Sequence, residues 1–200
     1  MPVLYEPADP ALFARVKDRN LEQQYILLQT VVDIALGIEQ FRYTPDVLYA
    51  LHAAAANFLH DEPGRVRGDH VHINASSHIP PPPDDVGRHL DDFFDYLNTN
   101  RGLTDSIHLA AFAMWRLTWI HPFGECNGRT ARAFCLMVLC IEKGFWLPGA
   151  ETIISLMSEL RNDGYRLLAK ADEACEATGA YDLAELELFL KKLTVVQLQS

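Results

Sequence analysis

Apolar residues recur at the 3.6-residue helical period through almost all of this 200-residue chain, and one proline-closed stretch alone breaks the rhythm. From about Ala11 to Gln40, Leu12, Phe13, Val16, Leu21, Tyr25, Leu28, Val32, Ile34 and Leu36 fall at helical intervals, which predicts one long helix or two with a break over 18–20. A second helix is predicted from Pro45 to about His60, because threonine at 44 suits a side-chain cap and proline loses nothing at the first helical position. Further helices are predicted from Asp84 to near Asn98, from the caps Thr104 and Asp105 to His121-Pro122, from Ala131 to Ile141 with a stop at Gly144, from Thr152 to about Thr178, and from Asp182 to Gln197. The exception runs from Asp61 to Pro83. There Pro63-Gly64 punctuates the chain, Val71 and Ile73 alternate with polar residues, and four consecutive prolines close the segment, which reads as a short exposed hairpin. The expected fold class is all-α with one β-hairpin.

Composition narrows the function classes. A hydrophobic share of 49% with 22% charged residues belongs to a globular chain and not to a disordered tail. The net charge of −10 argues against a broad basic face for nucleic acid or anionic lipid, while leaving room for a local cationic pocket. The longest unbroken apolar run, Ala133 to Ile141, is half the roughly 18 residues that span a bilayer, so it reads as a buried helix. The opening MPVLYEPADP does not have the basic-then-apolar form of a signal peptide, and the four cysteines form no CxxC pair; a cytoplasmic protein with reduced thiols is expected.

One stretch differs in kind. His121-Pro122-Phe123-Gly124-Glu125-Cys126-Asn127-Gly128-Arg129-Thr130-Ala131-Arg132 is a polar loop wedged between two strongly apolar helices. Amides of Cys126, Asn127 and Gly128 just before a helix make an anion cradle, where the helix dipole also favours negative charge. Arg129 and Arg132 stand three apart on one helical face, and a guanidinium fork matches phosphate oxygens. Glu125 suits Mg²⁺, which takes carboxylate and phosphate oxygens together. His121, titrating near neutrality, suits a hydroxyl proton. Phe123 is expected to bury its ring and pin the loop. These are the parts of a phosphate-handling centre.

The same stretch closely resembles the signature of the Fic family, HPFx(D/E)GNGRxxR, with one departure. The resemblance extends to Pro63-Gly64-Arg65-Val66-Arg67, to Val71-His72-Ile73 and Pro80 to Pro83, and to GYRLLAKADEACEATG near the C-terminus, covering roughly Pro45 to Gln197. It implies a Fic-fold helical bundle with a short β-hairpin flap over the active site, residues 45–200 forming the catalytic core and residues 1–44 an N-terminal helical extension. It also implies a protein adenylyltransferase that moves AMP from Mg²⁺-ATP onto a Ser, Thr or Tyr hydroxyl of a target protein. Carried over by position, His121 is the base, Glu125 the Mg²⁺ ligand and Asn127 an α-phosphate contact. Gly128 joins the anion hole, Arg129 holds the β-phosphate region and Arg132 reaches the γ-phosphate, with Phe123 and Cys126 completing the nucleotide loop. The flap from about Val66 to Ile79 would register the target's main chain as an added strand.

Cys126 is the departure, standing where the family has glycine. A position that needs φ > 0 costs cysteine on the order of 1 kcal/mol or more. Transfer of another phosphate-containing moiety, or a nucleotide-binding module weak in transfer, are therefore the alternative readings. The family's inhibitory pattern [ST]xxxE[GN] has no clean copy in the chain. Glu39, in Ala35-Leu36-Gly37-Ile38-Glu39-Gln40, reads either as a solvated helix residue or as a degenerate inhibitory glutamate facing Arg132; an antitoxin-like partner supplying the glutamate is the other reading. His70, His72 and His78 match no zinc spacing, and His60-Asp61 lacks the partners of a metal phosphohydrolase. Trp115, Trp119 and Phe112 fall at core spacing, and Tyr165 reads as either an adenine contact or a core residue.

Overall fold

A computed structural model describes residues 9–73, 76 and 78–200. Among them are eight helices and no strand: α1 (Pro10–Gly37), α2 (Pro45–Ala56), α3 (Pro83–Asn100), α4 (Ser106–Ile120), α5 (Asn127–Lys143), α6 (Ile153–Glu159), α7 (Arg161–Thr178) and α8 (Ala184–Gln199). Helix α5 is the axle. Every residue from Ala133 to Ile141 is buried, as a helix apolar on all sides requires. Helix α4 lies along it and meets α3, α7 and α8 on its other sides, while α1 crosses α2 and α5. Burying side chains such as Phe134, Leu136 and Leu139 stabilises this arrangement by roughly 1.5–3 kcal/mol each relative to exposure. The two central helices therefore hold both ends of the 121–126 loop on rigid supports.

Several helix boundaries follow the sequence. Asp105 Oδ1 accepts from the amides of Ile107 (2.8 Å) and His108 (3.4 Å), and Thr152 Oγ1 accepts from Ser155 N–H at 3.2 Å. Others differ, each for a physical reason. Helix α1 runs unbroken through 18–20 because Asn20 faces inward and donates from Nδ2 to the carbonyls of Asn57 (2.7 Å) and Ala55 (3.3 Å) on the α2 side. Helix α2 ends at Ala56 rather than near His60; Phe58 turns to φ 62° there, and the freed Ala55 carbonyl also accepts from Arg129 Nη1 at 3.1 Å. Thr44 sits at the start of α2 but makes no side-chain cap bond, leaving Pro45 to set the first turn. The predicted helix over 152–178 divides at Leu160 into α6 and α7.

The expected hairpin is the largest correction. No strand is present among the described residues of 61–83, and Asn74, Ala75 and Ser77 lie outside them. The described part is an irregular excursion, tied at its base to the end of α4 through Arg67. No helix among the described residues is long and apolar enough to cross a membrane.

Candidate active site

Helix α4 ends by running His121 into the left-handed region, φ 49° and ψ 60°, with its amide still bonded to Leu117 O at 3.0 Å. That turn swings the side chain off the helix. His121 Nδ1 lies 3.3 Å from the Thr118 carbonyl, which only accepts, so Nδ1 carries the proton and Nε2 keeps its lone pair. Burial pushes the imidazole down to about 4, with Arg67 and His78 adding to the effect against the bond to Thr118. At neutral pH this is an uncharged base with one free nitrogen.

Phe123 is wholly buried, and its backbone is closed by Asn127: the amide of Phe123 donates to Asn127 Oδ1 at 3.0 Å and Asn127 Nδ2 donates to Phe123 O at 2.7 Å. Both ends of the Asn127 side chain thus hold the loop. Cys126 adopts φ 60° and ψ 9°, the left-handed geometry suited to glycine, and starts α5 without a side-chain cap. Its thiol packs against Ala55 and Ala56 and reaches the Ala55 carbonyl at 3.8 Å, and burial pushes the thiol up. Since a β-branched residue fits this conformation worse than cysteine, Cys126→Val should lose about 2 kcal/mol, or several degrees in Tm, while Cys126→Gly stays within about 1 kcal/mol of the parent; thermal unfolding measures both.

The first turn of α5 then presents its amides uncapped, beside two arginines that pair with no carboxylate among the described residues. Arg129 and Arg132 line an open cavity of about 930 Å³ between α1, α5, α6 and α7, together with Lys17, Glu22, Tyr25 and Tyr165. Arg132 Nε is buried and has no hydrogen-bond partner. Gly128 follows on the same turn; a Cβ there would come within 3.4 Å of Arg132 Nη1. Glu125 is exposed at the loop's rim. Glu39 is exposed in the turn after α1, whereas the α1 carboxylate lining the arginine cavity is Glu22. Tyr165 is half exposed on the cavity wall, and Trp115 and Phe112 are core.

Two buried groups outside the loop hold it in place. The Arg67 side chain donates from Nε to His121 O (2.8 Å), from Nη1 to Asp69 O (2.9 Å), and from Nη2 to Pro81 O (2.6 Å) and Ile120 O (3.4 Å), while its amide donates to Pro122 O at 2.9 Å. It therefore clips both ends of the 66–81 excursion to the end of α4. His52, fully buried, accepts from Gly64 N–H at Nδ1 (2.8 Å) and approaches Glu125 O through Nε2 at 3.1 Å.

This geometry coincides with a match to the Fic/DOC family over residues 42–139. The chain carries a Fic/DOC family domain. A protein adenylyltransferase Fic of Nematostella vectensis is 34% identical over 131 residues, 64% of this chain and 29% of that protein. Protein adenylyltransferase fic-1 of Caenorhabditis elegans is 39% identical over 85 residues, 42% of this chain and 16% of that protein. The chain thus spans less than a third of the length of these curated relatives. Among solved structures, a C. elegans Fic-1 fragment superposes with a TM-score of 0.71 at 25% identity, covering 92% of this chain and 49% of the other. A Fic-domain-containing signalling protein of Bacteroides thetaiotaomicron gives 0.74 at 18% identity, covering 92% and 71%, a likeness of fold.

Within the Fic domain, His60 is a neighbour that the sequence reading set aside. A Cβ built on Gly124 would lie 2.6 Å from His60 Nε2, and the ring is held by Glu62 N–H donating to Nδ1 at 3.1 Å. Gly124→Ala should therefore cost about 1–2 kcal/mol, and His60→Ala in the same chain should cancel most of it. Denaturant unfolding of the two single variants and the double variant checks this coupling. For His52 and Arg67 the sequence offered only polar residues at ordinary positions, since their partners lie 73 and 54 residues away.

Proposed function

We propose that the chain is a protein adenylyltransferase, transferring AMP from Mg²⁺-ATP to a hydroxyl side chain of a target protein. The observation that carries the reading is the occurrence, across one loop and the helix it starts, of a neutral histidine with a free Nε2 and, in the early turns of an uncapped α5, an arginine whose buried Nε lacks a partner. The names of the curated relatives support the same activity.

The target hydroxyl oxygen forms a bond to the α-phosphorus, and the α–β phosphoanhydride bond breaks with its electron pair leaving on pyrophosphate. His121 Nε2 takes the hydroxyl proton. The α5 amides at Asn127 and Gly128 face the developing charge, and Arg129 and Arg132 hold the departing phosphates. With Asn127 already spanning the Phe123 backbone, its principal task is to shape the loop, and its remaining amide hydrogen is what it can offer to phosphate. Glu125 fits Mg²⁺ that arrives with the nucleotide: it is a single exposed carboxylate, and no cluster of three or more His, Cys, Asp or Glu stands ready among the described residues. Bound there, the ion neutralises phosphate charge. The segment from Val66 to Ile79 is the candidate for receiving a target's main chain, with Ile79 exposed at its end. The arginine cavity also suits a carboxylate from an antitoxin-like partner, the role left open for Glu39.

The alternatives centred on Cys126 lose weight because its thiol turns toward Ala55 and Ala56 rather than remaining unpacked. ATP labelled in the α or the γ phosphate separates the readings. Retention of α label alone means AMP transfer, γ label alone means kinase chemistry, and binding without retention means a nucleotide module.

The depressed pKa of His121 sets a pH dependence. Neutral imidazole already predominates well above about 4, so the transfer rate should stay flat between about pH 6 and 8 and fall below about pH 5, read from initial rates with α-labelled ATP. Stability should follow the same sign. His52 and His121 are both held down to about 4 in the fold against 6.5 in the free side chain. The unfolded chain therefore binds more protons in that window, and stability is lost as pH falls from about 6.5 toward 4.

A further inference from the structure

His52 sits on α2, remote in sequence from the loop, and three contacts fix it completely. Because Gly64 N–H donates to Nδ1 at 2.8 Å, that nitrogen is unprotonated and Nε2 bears the hydrogen it donates to Glu125 O at 3.1 Å. The ring lies flat on Phe123, with centroids 3.8 Å apart and an interplanar angle of 2°. Stacking sets the plane of the ring and the two hydrogen bonds set its rotation within that plane. Both partners are themselves constrained. Phe123 is closed by Asn127, and Gly64 stands at φ 81° where an added Cβ would meet Tyr49 O at 3.1 Å and Ala53 Cβ at 3.2 Å.

We infer that His52 is a positioning residue for the proposed transfer: through its two ring nitrogens it locks the Gly64 turn to the Glu125 peptide, and so fixes the direction of the Glu125 carboxylate. The inference rests on the adenylyltransferase reading for its catalytic consequence, but not for the clamp itself. Glu125 is exposed, and among the described residues no ion pair includes its carboxylate; the peptide bond to which its carbonyl belongs is what the protein holds. A carboxylate on a loosely held peptide loses the orientation that productive geometry needs.

Three substitutions separate the two arms. His52→Gln places an amide donor near Nε2 and keeps the Glu125 bond; His52→Asn places an oxygen near Nδ1 and keeps the Gly64 bond; His52→Leu keeps neither. Two measurements are made on each, in the full chain: hydrogen exchange of the 123–128 amides without nucleotide, and kcat with KM for ATP. Exchange in the loop should rise roughly 10-fold or more in His52→Leu relative to the α5 core, with kcat falling roughly 10- to 100-fold and KM for ATP within about twofold. His52→Gln should recover both losses better than His52→Asn. Unchanged loop exchange, a uniform rise across α4 and α5, or better recovery by His52→Asn would overturn the inference. If the parent protein transfers no AMP, the adenylyltransferase reading fails while the exchange results still decide the clamp.

Discussion

His121→Ala should slow the proposed AMP transfer by roughly 10²–10⁴-fold in kcat, the usual contribution of a positioned base. The substitution leaves the backbone support intact, because the His121 amide remains bonded to Leu117 O and its carbonyl to Arg67 Nε. Nucleotide affinity should hold, since Arg129, Arg132 and the first turn of α5 are untouched. Fold stability should hold as well, or rise slightly at acid pH, where the chain no longer has an imidazole that must give up its proton on folding. Kinetics with α-labelled ATP, nucleotide titration and thermal unfolding test the three parts separately. Affinity lost together with rate would mean that His121 belongs to nucleotide binding rather than to proton transfer.

Arg67→Met should be the most destabilising single change outside the core. Arg67 is 7% exposed, and carbonyls of Asp69, Pro81, Ile120 and His121 all accept from its guanidinium. Methionine matches the stem but leaves these oxygens unpaired, two of them at the negative end of α4 where a cation is favoured. A loss of about 3–5 kcal/mol is expected, or roughly 10 °C in Tm for a chain of this size. Arg67→Lys should restore only part of it, because one ammonium cannot serve carbonyls from four residues in a fixed fork. Transfer should fall further than stability explains, since the same clip fixes the carbonyl of His121 and the base of the 66–81 excursion proposed to receive the target. A Tm within a degree or two of the parent would contradict this account of Arg67.

The helices were legible because burial imposes a period, and α5 shows why: an unbroken apolar run between Ala133 and Ile141 has only one economical placement, inside. The loop from His121 to Arg132 was legible because polar residues between two such helices are costly unless they do something. What escaped was non-local. Asn20 looked like a helix break, yet its side chain is satisfied by α2 carbonyls 35 and 37 residues away. The alternation of Val71 and Ile73 suggested a hairpin, but the anchoring falls to the side chain of Arg67, which no period of the sequence reveals. His52 looked like an ordinary residue within α2, and His60 was weighed only with Asp61 as a metal pair, until the fold set one against Phe123 and the other against Gly124. Cys126 was readable as a strained position only through the resemblance, which puts glycine there, and the structure gives it φ 60°.

The central claim is tested most directly by incubating the protein with ATP labelled in the α phosphate, and separately in the γ phosphate, beside His121→Ala as control. The account predicts protein-bound label from the α position alone, pyrophosphate released in equal amount, and both reduced roughly 10²-fold or more in rate by His121→Ala. Label retained from the γ position alone, or transfer by His121→Ala at close to the parent's rate, would contradict it.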